Sequence, residues 1–245
     1  MRTAEFVTPK HPDKICDRIS DTILNECLKQ DKNSRVAVEV AGGHGQLFIT
    51  GEITTKANVD YKKIAKDIAG DYKVVLSIDK QSEYIKEGVD KGGAGDQGIM
   101  VGYACNENRE KLPHEYFLAR NLAKYLYKEW PVDGKTQITL DEGEITNIVA
   151  SFKGTTQKEL KNKIVKWEHY NGSVIYANPA GEWHIGGFDA DAGLTGRKII
   201  VDNYGPRVSV GGGAFSGKDL SKVDRSGAYI ARELAVDLLE EYEAE

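Results

Sequence analysis

The residues best equipped for chemistry gather between Arg197 and Arg225, where Arg197, Lys198, Arg207, Lys218, Lys222 and Arg225 outnumber Asp202, Asp219 and Asp224. The same stretch holds Gly211-Gly-Gly-Ala-Phe-Ser-Gly-Lys218. Backbone N–H groups of glycine-rich turns can converge on phosphate oxygens, and neighbouring lysines and arginines supply the charge that a polyphosphate demands. Two carboxylates stand at the starts of helical patterns: Asp13 in His11-Pro-Asp-Lys14, and Asp224 before the last helix. Each could simply cap its helix. Beside a cationic glycine loop, they also suit Mg²⁺ bound to a polyphosphate.

Two familiar phosphate fingerprints are set aside. Gly93-Ala-Gly-Asp-Gln-Gly98 has the dinucleotide spacing, but it leads into the strand-like Ile99-Met-Val-Gly-Tyr103 rather than a helix. Gly212 to Lys218 resembles a P-loop, yet Asp219 stands where a hydroxyl should hold magnesium, and the next helix starts several residues late.

Positioning such groups takes a sizeable fold, and the chain has the material for it. Its 245 residues are 40% apolar, enough for one or two cores without disulfides or structural metal. A net charge of −5 gives no general attraction to nucleic acid or an anionic membrane, so neither is expected as a partner. No apolar run approaches a membrane span, and Met1-Arg-Thr-Ala-Glu5 has no apolar signal core. Cys16, Cys27 and Cys105 show no C-x-x-C pairing and read as buried structural thiols, which suits a reducing cytoplasm.

The expected elements repeat. Ile15, Ile19, Ile23 and Cys27 recur every four residues after His11-Pro-Asp13, marking an amphipathic helix. Val36, Val38 and Val40 alternate before the tight-turn composition Gly42-Gly-His-Gly45, and Leu47-Phe-Ile49 resumes beyond it. A second helix is predicted from Asn58 to about Ala69. The order returns with a helix from His114 to Glu129, strands near 137–140 and 145–151, and a helix from Thr156 to Trp167. From Asp224, residues Ala228, Ile230, Ala231, Leu234, Ala235, Leu238 and Leu239 form the opening helix of a third copy. The predicted fold is α+β, with helix-strand-strand-helix units used twice and a third unit truncated. The corresponding divisions are 1–105, with a loop near 81–93, then 106–190 and 191–245.

His11-Pro-Asp-Lys14, Gly51-Glu-Ile-Thr54, Gly93 to Gly98, Gly193-Leu-Thr-Gly-Arg-Lys-Ile-Ile-Val201, Gly211 to Lys218 and Ser221-Lys-Val-Asp-Arg-Ser226 closely resemble the S-adenosylmethionine synthetase family. The resemblance covers nearly the whole chain. It implies three similar α+β domains, the third mostly missing here, and a homodimer with active sites between subunits. It also implies an enzyme that joins ATP to L-methionine by attack of the methionine sulfur on C5′, then cleaves tripolyphosphate to pyrophosphate and phosphate.

By motif, the resemblance makes Asp13 and Asp224 the Mg²⁺ ligands and Glu39 the carboxylate of a K⁺ site. His11, Lys135, Arg197, Lys198, Lys218 and Lys222 would hold the triphosphate, with His11 donating to the departing oxygen. Glu52, Gln81 and Asp96 would orient methionine, Asp191 would meet the ribose, and Trp183 would stack on adenine. Trp183 replaces the family's Phe, Glu182 replaces an Arg, and the 81–93 segment, the family's gating loop, is short. Two rivals are a nucleotide binder without catalysis and a tripolyphosphatase. Both metal carboxylates and all the cations argue against the first, and Glu52, Gln81 and Asp96 against the second.

Overall fold

The structure, a computed structural model, describes residues 1–81 and 95–242. All but Gln81 of the proposed gating segment, and the first glycine of the Gly93 to Gly98 motif, lie outside the described residues. Helix α1 (Pro12–Gln30) begins with proline in its first turn, where a missing N–H costs nothing, and buries Ile15, Ile19, Ile23 and Cys27 along one face. Strands β2 (Arg35–Gly43) and β3 (Gln46–Thr54) form an antiparallel hairpin. Helix α2 (Tyr61–Ala69) follows, and β4 (Lys73–Asp79) pairs parallel to β3.

The second unit retraces this path. Helix α3 (His114–Glu129) leads to the hairpin of β5 (Gly134–Asp141) and β6 (Glu144–Phe152), then to α4 (Gln157–Ile164), and β7 (Val174–Ala177) closes parallel to β6. Both hairpins turn through two residues of positive φ, His44 at 50° with Gly45 at 85°, and Glu142 at 50° with Gly143 at 89°. Paired positive φ values match the right-handed twist of the flanking strands. The repeat is therefore α-β-β-α-β, one strand longer than predicted.

The units also exchange edges. Strand β1 (Arg2–Val7) pairs antiparallel to β5, and the short β8 (Gly193–Leu194) pairs antiparallel to β2. The two four-stranded sheets run β1-β5-β6-β7 and β8-β2-β3-β4. In the first unit Ile19, Ile23 and Cys27 pack over Val36, Val38, Val40, Leu47 and Ile49. In the second, Leu118, Leu122 and Leu126 pack over Ile138, Leu140, Ile148 and Phe152. Each fully buried side chain of this kind contributes roughly 1.5–3 kcal/mol. On the opposite sheet faces, Phe48 beside Val75 on one and Val174 and Tyr176 on the other are exposed among the described residues.

Of a third unit, the described residues contain the one-turn α5 (Ile199–Asp202) and the long α6 (Val223–Tyr242). Leu239 is buried, whereas Ile230, Leu234 and Leu238 are each more than half exposed.

Three expectations are corrected. Helix α2 starts at Tyr61 rather than Asn58 because Asp60 caps it, accepting the Lys63 N–H at 2.9 Å. Helix α4 ends at Ile164, ahead of a turn in which the Trp167 N–H bonds the Ile164 carbonyl. Residues 99–103 join neither sheet. They pass so close to α6 that a Cβ on Gly102 would strike the Ala231 carbonyl, and contact with the helix takes the place of strand pairing.

Candidate active site

Two groups of charged residues emerge. The first surrounds the start of α1. His11, only 3% exposed, is the N-cap, and its Nδ1 accepts the Asp13 N–H at 3.2 Å. Burial, reinforced by Lys198 and Lys135, pushes the His11 pKa down to about 4, against the opposing pull of Asp13 and Asp191. The ring is therefore neutral at pH 7, and with Nδ1 accepting, the proton sits on Nε2.

Asp13 is fully buried, and it caps nothing. Its Oδ1 accepts the Leu194 N–H at 2.9 Å and meets Arg197 Nε at 2.8 Å, while Oδ2 meets Lys198 Nζ at 2.8 Å. Burial alone would raise its pKa, but the Lys198 bond, the Leu194 N–H and the two positive charges outweigh it and hold the carboxylate ionised. A Cβ at Gly193 would collide with the Pro12 carbonyl, so only glycine lets the loop lie against α1. Lys135 is exposed on β5, and Asp191 is exposed with its Oδ1 accepting the Ala192 N–H at 2.8 Å.

The second group lines a cavity of about 440 Å³ that includes Glu52, Gln81, Asp96, Lys218, Lys222 and Asp224. Lys218, bridged to Ala37 of β2, places Nζ 2.6 Å from Asp224 Oδ2. Lys222 pairs with Asp219 at 2.6 Å, and Asp219 also accepts the Val36 and Ser221 N–H groups. Asp224 lies within the first turn of α6, so it does not cap that helix from outside. A Cβ at Gly213 would strike its carboxylate. Gln81 donates its N–H to Thr54 Oγ1 at 3.0 Å, and Asp96 is exposed.

Two expected site residues stand outside both groups. Glu39 lies exposed on β2, opposite Thr50. Trp183 is half-buried; its carbonyl accepts the Gly154 N–H at 2.8 Å, and its ring occupies the space a Cβ on Gly186 would need. Among the described residues no hydrogen bond or ion pair joins the Asp13 group to the Asp224 group, and no three His, Cys, Asp or Glu side chains converge as a metal cage. Single carboxylates still fit Mg²⁺, which commonly takes one or two protein oxygens and completes its shell with phosphate and water. Asp17 and Asp21 were missed as site-supporting residues. The signal was the four-residue repeat of Asp13, Asp17 and Asp21.

Three domains of one known family match the sequence in succession. The S-adenosylmethionine synthetase N-terminal domain matches residues 1–85, the central domain 91–182 and the C-terminal domain 185–245. The chain belongs to the S-adenosylmethionine synthetase family. The S-adenosylmethionine synthase of Brachyspira hyodysenteriae is 41% identical over 289 aligned residues, covering 97% of this chain and 73% of the relative. That of Mesoplasma florum is 42% identical over 280, covering 97% of this chain and 74% of the relative. Both alignments exceed the 245 residues of this synthetase, so the relatives carry internal segments that it lacks.

Proposed function

We propose that this synthetase drives the methionine sulfur onto C5′ of ATP, expels the whole triphosphate, and then cleaves it to pyrophosphate and phosphate. Formation of S-adenosylmethionine from ATP and methionine is the activity of its family. A thioether is already nucleophilic, so the transfer needs no general base. It needs alignment and stabilisation of the charge growing on the departing oxygen.

The neutral His11, holding its proton at Nε2, supports the role of donor to that oxygen. Arg197, Lys198, Lys135, Lys218 and Lys222 would neutralise the triphosphate; Glu52 and Asp96 would hold the methionine ammonium, with Gln81 beside them. Trp183 would stack on adenine and Asp191 would meet the ribose. Family members use metal ions; we assign Mg²⁺ to Asp13 and Asp224, where it would supply charge neutralisation to the phosphates, and K⁺ to Glu39. We place the enzyme in the cytoplasm, and divide the chain by repeat at 1–105, 106–190 and 191–245.

The separation of the Asp13 and Asp224 groups carries the assembly reading. They meet opposite ends of the Asp13 to Asp21 stretch of α1, about 12 Å apart at 1.5 Å per residue. We place each complete site between two subunits of a homodimer, the Asp13 group from one and the Asp224 group from its partner. The sheet faces with the exposed Phe48, Val75, Val174 and Tyr176 offer the contact.

Mixing two inactive variants tests this. In an Asp13→Asn/Lys218→Ala heterodimer, one site combines both lesions and the other has neither, so mixing should restore roughly a quarter of wild-type activity. Heterodimers without recovered activity would place each site within one subunit.

A further inference from the structure

Helix α1 carries a second set of contacts, distinct from its buried apolar face. Asp13, Asp17 and Asp21 are four residues apart, so they line up along one side of the helix. Each accepts a backbone N–H from one of the two glycine loops: Asp13 from Leu194 at 2.9 Å, Asp17 from Gly196 at 2.8 Å, and Asp21 from Gly217 at 3.0 Å. Ser20 adds a relay. Its hydroxyl donates to the Cys16 carbonyl, so the Thr195 hydroxyl donates to Ser20 Oγ at 2.6 Å while accepting the Val40 N–H at 3.0 Å.

We propose that Asp17 and Asp21 are positioning residues that set where the triphosphate-binding cations stand; this rests on the site reading above. The geometry is direct. Gly196 immediately precedes Arg197 and Lys198, and Gly217 immediately precedes Lys218. Both glycines adopt positive φ, 75° and 77°, which turns each N–H toward its carboxylate and starts the next residue in a defined direction. Neither aspartate shares its carboxylate with those cations. Asp17 pairs with Lys14 at 2.8 Å, and Asp21 with Arg225 at 2.8 Å. Lys14 also reaches Asp202 of α5 at 2.5 Å, which fixes the far end of the first loop. The helix thus acts as a ruler, holding Arg197–Lys198 near one mark and Lys218 near another.

Binding of inorganic tripolyphosphate by titration calorimetry reads this out. Asp17→Ala and Asp21→Ala should remain folded by circular dichroism yet bind tripolyphosphate roughly tenfold or more weakly. They should raise KM for ATP more than they lower kcat. Asp21→Asn should bind within about threefold of wild type, because one amide oxygen can keep both bonds that Oδ1 makes now. Folded Ala variants with wild-type affinity, or an Asp21→Asn protein as impaired as Asp21→Ala, would overturn the proposal. Amide exchange in the wild-type protein gives a reading independent of folding defects in variants: the Gly196 and Gly217 amides should be the slowest in their loops, and fast exchange there contradicts the ruler. Failure of the wild type to bind tripolyphosphate, with both amides protected, would instead remove the site reading.

Discussion

His11 Nδ1 accepts the backbone N–H of Asp13 at 3.2 Å, within the first turn of the helix that His11 caps. One bond therefore satisfies an orphan helix donor and fixes the tautomer of the ring. With the folded pKa near 4 and an unfolded value of about 6.5, the unfolded chain takes the proton first as pH falls. The stability His11 contributes is present above about pH 6.5 and is lost as pH falls toward 4. NMR should show no His11 titration between pH 8 and 5, and His11→Ala should cut kcat roughly 10²-fold. A ring titrating near 6.5 contradicts the assignment.

Lys218 and Asp224 neutralise each other at 2.6 Å, although the proposed roles send one to phosphate and the other to metal. Binding must exchange these partners. Asp224→Asn frees Lys218, so it should bind metal-free tripolyphosphate in EDTA several-fold more tightly than wild type, and it should lose most of the enhancement by Mg²⁺. Weaker metal-free binding by this variant would show that the pair does not hold the lysine back.

Stability away from the site depends on Glu107. Arg207 grips it with two bonds of 2.7 and 2.8 Å, Arg2 adds a third at 2.7 Å, and the His114 N–H a fourth at 2.8 Å. Burial opposes ionisation, yet these partners pull the Glu107 pKa down to about 2. Its contribution is present above the ordinary glutamate range and is lost as pH falls toward 2. Arg207→Ala should lower unfolding free energy by about 2–4 kcal/mol in urea while leaving KM for ATP unchanged. An unchanged urea midpoint would refute this.

The repeat was legible because its signals are local. Ile15, Ile19, Ile23 and Cys27 show one helical face, and Val36, Val38 and Val40 show one strand face. The exchange of β1 and β8 was not legible, because β1 finds β5 more than a hundred residues away and β8 pairs through only two residues. Site residues were recognised by type and motif. Their pairing was hidden, since nothing local to Asp13 says that Arg197 and Lys198 will reach it. Asp17 and Asp21 were overlooked because, in a helix, spaced aspartates ordinarily mark a solvated face.

Phe48 and Val75 sit side by side, both exposed, on one face of the first sheet. If that face joins subunits, Phe48→Asp should shift the protein from dimer to monomer in sedimentation velocity and abolish synthesis, with the fold retained by circular dichroism. A fully active monomer contradicts the shared site.

The products of the reaction report most directly on the proposed activity. Purified protein with ATP, L-methionine, Mg²⁺ and K⁺ should yield S-adenosylmethionine, pyrophosphate and phosphate in equal amounts, measured in the same samples, with all three sharply reduced in Asp13→Asn and Lys218→Ala. Phosphate without S-adenosylmethionine, or no product at all from folded protein, would contradict it.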